Sequence, residues 1–292
     1  VPFAGILLSI AIFPLVLPDF WHHNFGKISL FWAAILIIPF VIKEGIGVTL
    51  YELLHVGLLE YVPFIILLLA LFTISGGVRL TGALVGTPIV NLAIILIGTF
   101  LASWMGTTGA AMLLIRPLIN ANKHRKNIVH IIVFFIFLVA NIGGSLTPLG
   151  DPPLFLGFLK GVDFFWTTTA MFVPMLIMII ALSIIFYFLD SYYLKKEDIK
   201  VETPQEKLKL GIEGVFNLGL IVGVIGAVLI SGFWKPHISF EVYSGVHLEL
   251  QNLTRDILLL ILTYISWTYT PQQIRKDNEY TWFPIIEVAK LF

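Results

Sequence analysis

Apolar positions form long unbroken runs along most of the chain, with polar positions gathered between them, so neither the two-residue period of a half-buried strand nor the 3.6-residue period of a surface helix sets the pattern. Runs of this kind read as helices crossing a hydrocarbon core roughly 30 Å thick. The expected spans are Pro2 to Leu17, Ile28 to Ile42, Val62 to Val78, Asn127 to Ile142, Thr168 to Tyr193, Val215 to Phe233 and Ile257 to Thr270, which makes seven complete crossings. Between the second and third, Gly45 to Glu60 reads as an amphipathic interfacial helix. Lys195 to Lys209 reads as a mixed-charge cytoplasmic linker, and Trp234 to Asp256 as a polar external loop.

One stretch does not fit a single crossing. Ala83 to Leu118 is nearly uncharged, and as one helix it would be about 54 Å long. It is interrupted by Met105-Gly106-Thr107-Thr108-Gly109, which predicts a hairpin with a second arm that ends near Arg116, about half as long as the first. If the hairpin returns to its own side, one face collects Lys27, Arg79, Lys123, Arg125, Lys126, Lys195, Lys196, Lys200, Lys207, Lys209, Arg275 and Lys276. The other collects Lys43, Lys160, Lys235 and Arg255. That bias marks the first face as cytoplasmic, with Val1 external and the hairpin rooted inside; two full crossings would give the same parity.

Composition agrees with a membrane setting: 58% of residues are hydrophobic and 12% charged, with a mean hydropathy of +0.95. Net charge is zero and no basic stretch interleaves with aromatics, which removes nucleic acid as a partner. The absence of cysteine excludes disulfides, thiolate metal sites and cysteine nucleophiles. The chain opens on Val1 directly in an apolar run, and Trp282 to Phe292 starts another that stops short, so the sequence reads as a piece cut at both ends.

Within a bilayer, broken backbone is tolerated only where it is buried or lines a cavity, so breaks point to binding sites. The first break is the hairpin tip, Ser103 to Gly109, whose carbonyls and hydroxyls are hard oxygen donors suited to Na⁺ and whose second arm presents a helix N-terminus to an anion. The second is Asn141 to Pro153, where three glycines, three prolines and four polar side chains interrupt an apolar helix. It contains Asp151, and a carboxylate at the bilayer centre costs about 3 kcal/mol or more, so this residue is the leading candidate for chemistry.

The pairing of GTTGAAMLLIRP with a downstream GGSLTPLGDPP resembles the ion transporter superfamily, which includes NhaD-type sodium/proton antiporters, citrate and dicarboxylate transporters and arsenite pumps. The stretches FFIFLVANIGGSLTPLGDPPLFLGFL and WFPIIEVAKLF extend the likeness to the sodium:proton antiporter and citrate transporter group. The resemblance implies an all-α polytopic membrane protein with inverted repeats, each with a re-entrant hairpin and a broken helix, and the cation held between tip and break. It implies a first repeat over 1–194 with its hairpin at 83–118 and its broken helix at 127–158, a linker over 195–211, and the start of an incomplete second repeat over 212–292. Carried onto this chain, Gly106, Thr107 and Thr108 match the tip, and Asn141, Gly143, Ser145, Thr147, Gly150 and Asp151 match the broken helix. The NhaD-type tip usually reads Asp-Asn where this chain has Gly106-Thr107, and Pro152-Pro153 after the acid is closer to the anion symporters, which usually place a neutral residue at Asp151.

Other polar residues are expected to be bland. No HExxH or HxxxH spacing exists, which argues against zinc. Glu44, Glu52 and Glu60 read as a solvated helix face, Arg116 as snorkelling to the cytoplasmic interface, Asp163 and Asp190 as solvated span ends, and Trp104, Trp166, Trp234 and Trp267 as belt or packing residues. The expectation is a Na⁺/H⁺ antiporter of the bacterial inner membrane, without enzymatic activity or cofactor. Na⁺ would sit at Thr107, Thr108 and Asp151, where withdrawal from water favours the protonated acid that Na⁺ must displace. The alternative is a Na⁺- or H⁺-coupled citrate or dicarboxylate symporter on the same scaffold. Expected partners are Na⁺ or Li⁺, protons and the lipid bilayer, with a homodimer allowed.

Overall fold

The computed structural model describes residues 2–82, 84–197 and 211–291. The chain begins with α1 (Pro2–Val16) and α2 (Pro18–Glu44), followed by α3 (Ile46–Val56), a π-helical turn (Gly57–Tyr61) and α4 (Val62–Ser75). After strand β1 (Arg79–Thr81) come α5 (Pro88–Met105) and α6 (Thr107–Ala121). Helix α7 (Val129–Phe135) widens into a π turn (Ile136–Asn141), tightens into a 3-10 turn (Ile142–Leu146) and is followed by α8 (Pro152–Leu159) and α9 (Trp166–Lys196). The remainder is β2 (Gly211–Glu213), α10 (Val215–Phe233), a β3 (Ser239–Tyr243) and β4 (Val246–Glu249) hairpin, α11 (Leu250–Tyr269), α12 (Gln272–Asp277) and α13 (Phe283–Leu291). Of the expected linker, residues 198–210, with Lys200, Lys207 and Lys209, lie outside the described residues, as do Ala83 and the two terminal residues.

Among the described residues six helices are long and apolar enough to cross a membrane: Pro18–Glu44, Ile46–Ser75, Pro88–Met105, Val129–Leu146, Trp166–Lys196 and Val215–Phe233. The chain is therefore a predominantly helical, multi-pass membrane protein. The set differs from the seven crossings expected. Helix α1 has 15 residues, short of the roughly 20 a crossing needs. The first half of α11 carries Gln251, Asn252, Arg255 and Asp256, which leaves its apolar run too short to cross. Residues 45–60 are not a separate interfacial helix but the start of one 30-residue helix, Ile46–Ser75. The helix survives Pro63 because the π turn at Gly57–Tyr61 lies one turn ahead of it, where a proline ring would otherwise meet a carbonyl. Exposed side chains fit lipid contact: on α9, Phe172, Val173, Ile177 and Phe188 are each more than half exposed, a face that water would penalise and hydrocarbon does not.

The chain forms two compact units. In the first, α1 and α2 form a close hairpin: a Cβ on Gly5 would stand 2.3 Å from the Trp32 ring, and the Trp32 indole donates to Ser9 Oγ at 3.1 Å. Helix α13 joins this unit through Phe283, stacked on His22 with centroids 4.8 Å apart, and through the Ala289 carbonyl, which accepts from the Tyr61 hydroxyl at 2.6 Å. The second unit contains the α5–α6 hairpin, the whole broken helix, and α9 to α12 except the first residue of α11. Its core includes Ile95, Ala102, Met105, Leu118, Leu138, Phe155 and Phe186, all at most 2% exposed. Strands β1 and β2 pair antiparallel there, with Arg79 opposite Glu213.

Candidate functional site

Helix α5 starts at Thr87, whose hydroxyl accepts from the Val90 amide at 3.3 Å, and ends where Gly106 takes φ 79°. That left-handed conformation favours glycine, and it lets the chain turn directly into α6 at Thr107. The hairpin closes on itself, since the Gly86 amide donates to the Ala121 carbonyl at 2.8 Å. Its second arm is longer than expected: α6 passes Arg116 and Pro117 and runs 15 residues against 18 in α5.

The tip packs against the unwound part of the broken helix. The Thr107 amide donates to the Gly150 carbonyl at 3.2 Å. Ser103 Oγ donates to the Gly143 carbonyl at 2.5 Å, and Thr147 Oγ1 donates to the Ser103 carbonyl. The glycines make these approaches possible. A Cβ on Gly143 would stand 2.7 Å from the Thr99 carbonyl oxygen, one on Gly144 2.8 Å from Thr107 Cγ2, and one on Gly150 2.1 Å from the Gly144 carbonyl oxygen. The Leu146 carbonyl, freed by the unwinding, accepts from both Thr167 and Thr168 hydroxyls at 3.0 and 2.6 Å, so hydroxyls replace the lost helical donor.

Of the residues singled out from sequence, Gly106, Thr107, Gly143, Thr147 and Gly150 meet in this junction. Ser145 lies in the same unwound turn but its hydroxyl donates to the Ile142 carbonyl at 2.8 Å. Asn141 is exposed and its amide donates back to the Ile136 carbonyl at 2.8 Å, satisfying the π turn above it. Thr108 and Asp151 are both exposed. Asp151 directly follows Gly150 and forms the N-cap of α8 with its main-chain carbonyl, while its carboxylate makes no capping hydrogen bond. Among the described residues no three His, Asp or Glu gather as a metal site.

Two helices begin at this junction, and they differ in what they offer. Helix α6 opens with Thr107, Thr108 and Gly109, whose first-turn amides have no carbonyl partner within the helix. Helix α8 opens with Pro152 and Pro153, which have no N–H, and its Leu154 amide is taken by the Asp151 carbonyl. An anion is therefore met by donors only at α6, while the Asp151 carboxylate next to it can take a proton or a monovalent cation.

Sequence reasoning missed a second polar cluster. Asp190 is fully buried rather than solvated: its carboxylate pairs with Arg125 Nη2 at 2.6 Å and His130 Nε2 at 2.8 Å, and accepts from the Asn91 amide at 2.9 Å. Asn91 and Asn122 exchange hydrogen bonds at 3.0 and 2.7 Å, tying both ends of the hairpin to α9. The signal was a single Asn or His near the start of apolar helices α5 and α7, a common form of polar glue in membrane bundles. A third cluster joins Asn217 to the Gly77 carbonyl, Thr270 and Ser266, with Arg275 donating to the Thr73 carbonyl at 2.7 Å. Arg255, expected in an external loop, is fully buried on α11, paired with Asp256 at 2.8 Å and 5.6 Å from the centroid of the Phe155 ring. Arg116 is held at 2.5 Å by Glu279 rather than reaching freely for the interface.

The Asp190 cluster carries a stability prediction. Asp190→Asn leaves the Arg125 guanidinium, with 0% of its side chain exposed, only the more distant Glu197 at 4.0 Å as counter-charge, and breaking a buried pair of this kind costs about 3–5 kcal/mol. Thermal unfolding of the purified protein should shift markedly downward, and an unchanged melting temperature would mean that water reaches Arg125.

No curated protein and no solved structure matches the chain. The family model described as "Putative citrate transport" matches residues 1–292, end to end. With its crossing helices and a hairpin tip packed against a helix break, this chain belongs to that family of membrane transport proteins.

Proposed function

We propose that the protein is a cation-coupled secondary transporter of citrate-like carboxylates, with Asp151 as the group that binds the coupling proton or Na⁺ beside the hairpin tip. The observation that carries this reading is the juxtaposition at the junction: an exposed lone carboxylate one residue from Gly150, whose carbonyl holds the Thr107 amide at the start of α6. The substrate carboxylate is met by the Thr108 and Gly109 amides and the Thr107 and Thr108 hydroxyls, and the cation by Asp151. Binding of the cation or proton neutralises Asp151 and removes its repulsion of the incoming substrate carboxylate, which couples the two. Na⁺/H⁺ antiport is the second reading, favoured by one fact: residues 103–109 and 141–153 contain no Lys or Arg, so the junction's one formal charge is negative and attracts cations.

Flux measurements separate the two. In proteoliposomes containing the complete protein, citrate uptake should follow an imposed Na⁺ or proton gradient and stop when both are collapsed. Collapse of a preformed pH gradient by Na⁺ or Li⁺ with no carboxylate present would instead establish antiport, with Thr107, Thr108 and Asp151 as the Na⁺ site.

A further inference from the structure

At the base of the α5–α6 hairpin lies a cavity of about 360 Å³, within the usual range for small-molecule sites. On α6, Arg116 in the cavity wall stands nine residues from Thr107 at the tip, roughly 14 Å along the helix. Its wall carries Arg79, Arg116 and Lys123 against a single carboxylate, Asp277, with the Asn120 and Asn278 side chains beside them. The positive groups come from separate parts of the chain: Arg79 from β1, Arg116 from α6 and Lys123 from the turn after it. Arg79 Nη1 reaches Asp277 Oδ2 at 2.5 Å and Glu213 Oε2 at 3.3 Å. Arg116 Nη1 donates to the Asp277 main-chain carbonyl at 2.5 Å, and its Nη2 pairs with Glu279 at 2.5 Å.

The acidic partners outside the wall are weakly held. The Glu279 side chain is 81% exposed and that of Glu213 48%, and exposed pairs of this kind contribute about 0–1 kcal/mol. A ligand carboxylate that brings two or three charges at once can take over those guanidinium faces, each suited to a bidentate oxygen pair. Asp277 meanwhile continues to hold Arg79 and Arg116 in place from below.

We infer that this cavity is a second anion site, which receives a small di- or tricarboxylate at the mouth of the hairpin. The inference rests on the carboxylate reading of the transporter. A multivalent anion engages Arg79, Arg116 and Lys123 together, whereas a monocarboxylate engages one of them. The site concentrates substrate at one end of its route and is independent of the Asp151 junction.

The test measures equilibrium citrate binding by calorimetry to the complete protein in nanodiscs of zwitterionic lipid, with no ion gradient. Arg116→Gln combined with Lys123→Gln is expected to weaken a citrate-binding step about tenfold or more, the scale of losing charge-assisted hydrogen bonds. Acetate should not compete at equal concentration. Lys123→Gln alone, which removes no ion pair seen in the wall, guards against a folding defect and should show a smaller loss in the same direction. Citrate affinity equal in wild type and the double variant overturns the inference, as does binding lost only in Asp151→Asn or competition only from anionic phospholipid. A wild type that binds citrate through this cavity yet fails to transport it refutes the transport reading and leaves the site standing.

Discussion

Gly150→Ala is expected to abolish transport and to lower the melting temperature of the protein. The added Cβ would stand 2.1 Å from the Gly144 carbonyl oxygen and 2.7 Å from the Gly144 carbonyl carbon and Cα. Those are backbone atoms inside an unwound segment, so they cannot swing aside as the end of a side chain would. Gly144 is itself confined, because the space on the side of its missing Cβ is taken by Thr107 Cγ2. The methyl must therefore separate the unwound segment from the hairpin tip, lengthening the hydrogen bond from the Thr107 amide to the Gly150 carbonyl, now 3.2 Å. Overpacking of this kind costs about 1–3 kcal/mol, and moving the tip relative to Asp151 disturbs any site that the two share. Gly226→Ala is the matched control: it lies in α10, a Cβ there meets nothing within 4 Å, and the better helix propensity of alanine should stabilise slightly. Melting curves and fluxes for the two variants provide the comparison. Equal behaviour would mean that the Gly144–Gly150 approach is looser in the membrane.

Both elements of that junction were legible in the sequence, for a physical reason. Glycine and proline act locally, so a break at Gly106 or between Gly143 and Pro153 announces itself wherever the chain folds. The hydropathy of α2, α4, α9 and α10 was equally plain, since lipid asks only for length and apolar composition. Misreadings arose where local pattern competes with tertiary context. The segment Gly45 to Glu60, with Glu52 and Glu60 on it, read as an interfacial helix, yet the helix runs on through a π turn to Ser75. The second arm was expected to end near Arg116, yet α6 absorbs Pro117 and continues to Ala121.

The buried polar clusters were beyond the reach of pattern. Asp190 is followed by Ser191, two tyrosines and two lysines, a sequence indistinguishable from the solvated end of a span. What buries it is Arg125, 65 residues earlier, together with His130 and Asn91 on two other helices. Asn217 likewise meets Ser266 and Thr270 only because α10 and α11 come together. Pairings at such separation are set by packing, and nothing at either position declares the partner. Their consequence for the site is indirect but real: the Asn91–Asn122–Asp190 bonds fix the hairpin's base, and a fixed base holds its tip against the broken helix.

Asp151→Asn is the substitution that most directly addresses the proposed mechanism. The side chain is exposed and makes no capping bond, and asparagine caps helices as well as aspartate does, so α8 should form unchanged and stability should move by no more than about 0.5 kcal/mol. What disappears is the only group at the junction able to trade a proton for a cation. Cation and proton compete for one carboxylate in the wild type, so apparent cation affinity should improve about tenfold per pH unit while the acid is mostly protonated, then level off once it is ionised. With asparagine that dependence should vanish together with coupled flux, whereas Asp151→Glu keeps the charge on a longer arm and should retain reduced activity with a displaced pH profile. Folding and insertion, followed by size-exclusion behaviour and melting temperature, should be the same in all three proteins. A variant with asparagine that transports at the wild-type rate with the wild-type pH dependence would reduce Asp151 to a solvated cap, and the coupling group would then have to lie elsewhere in the transporter.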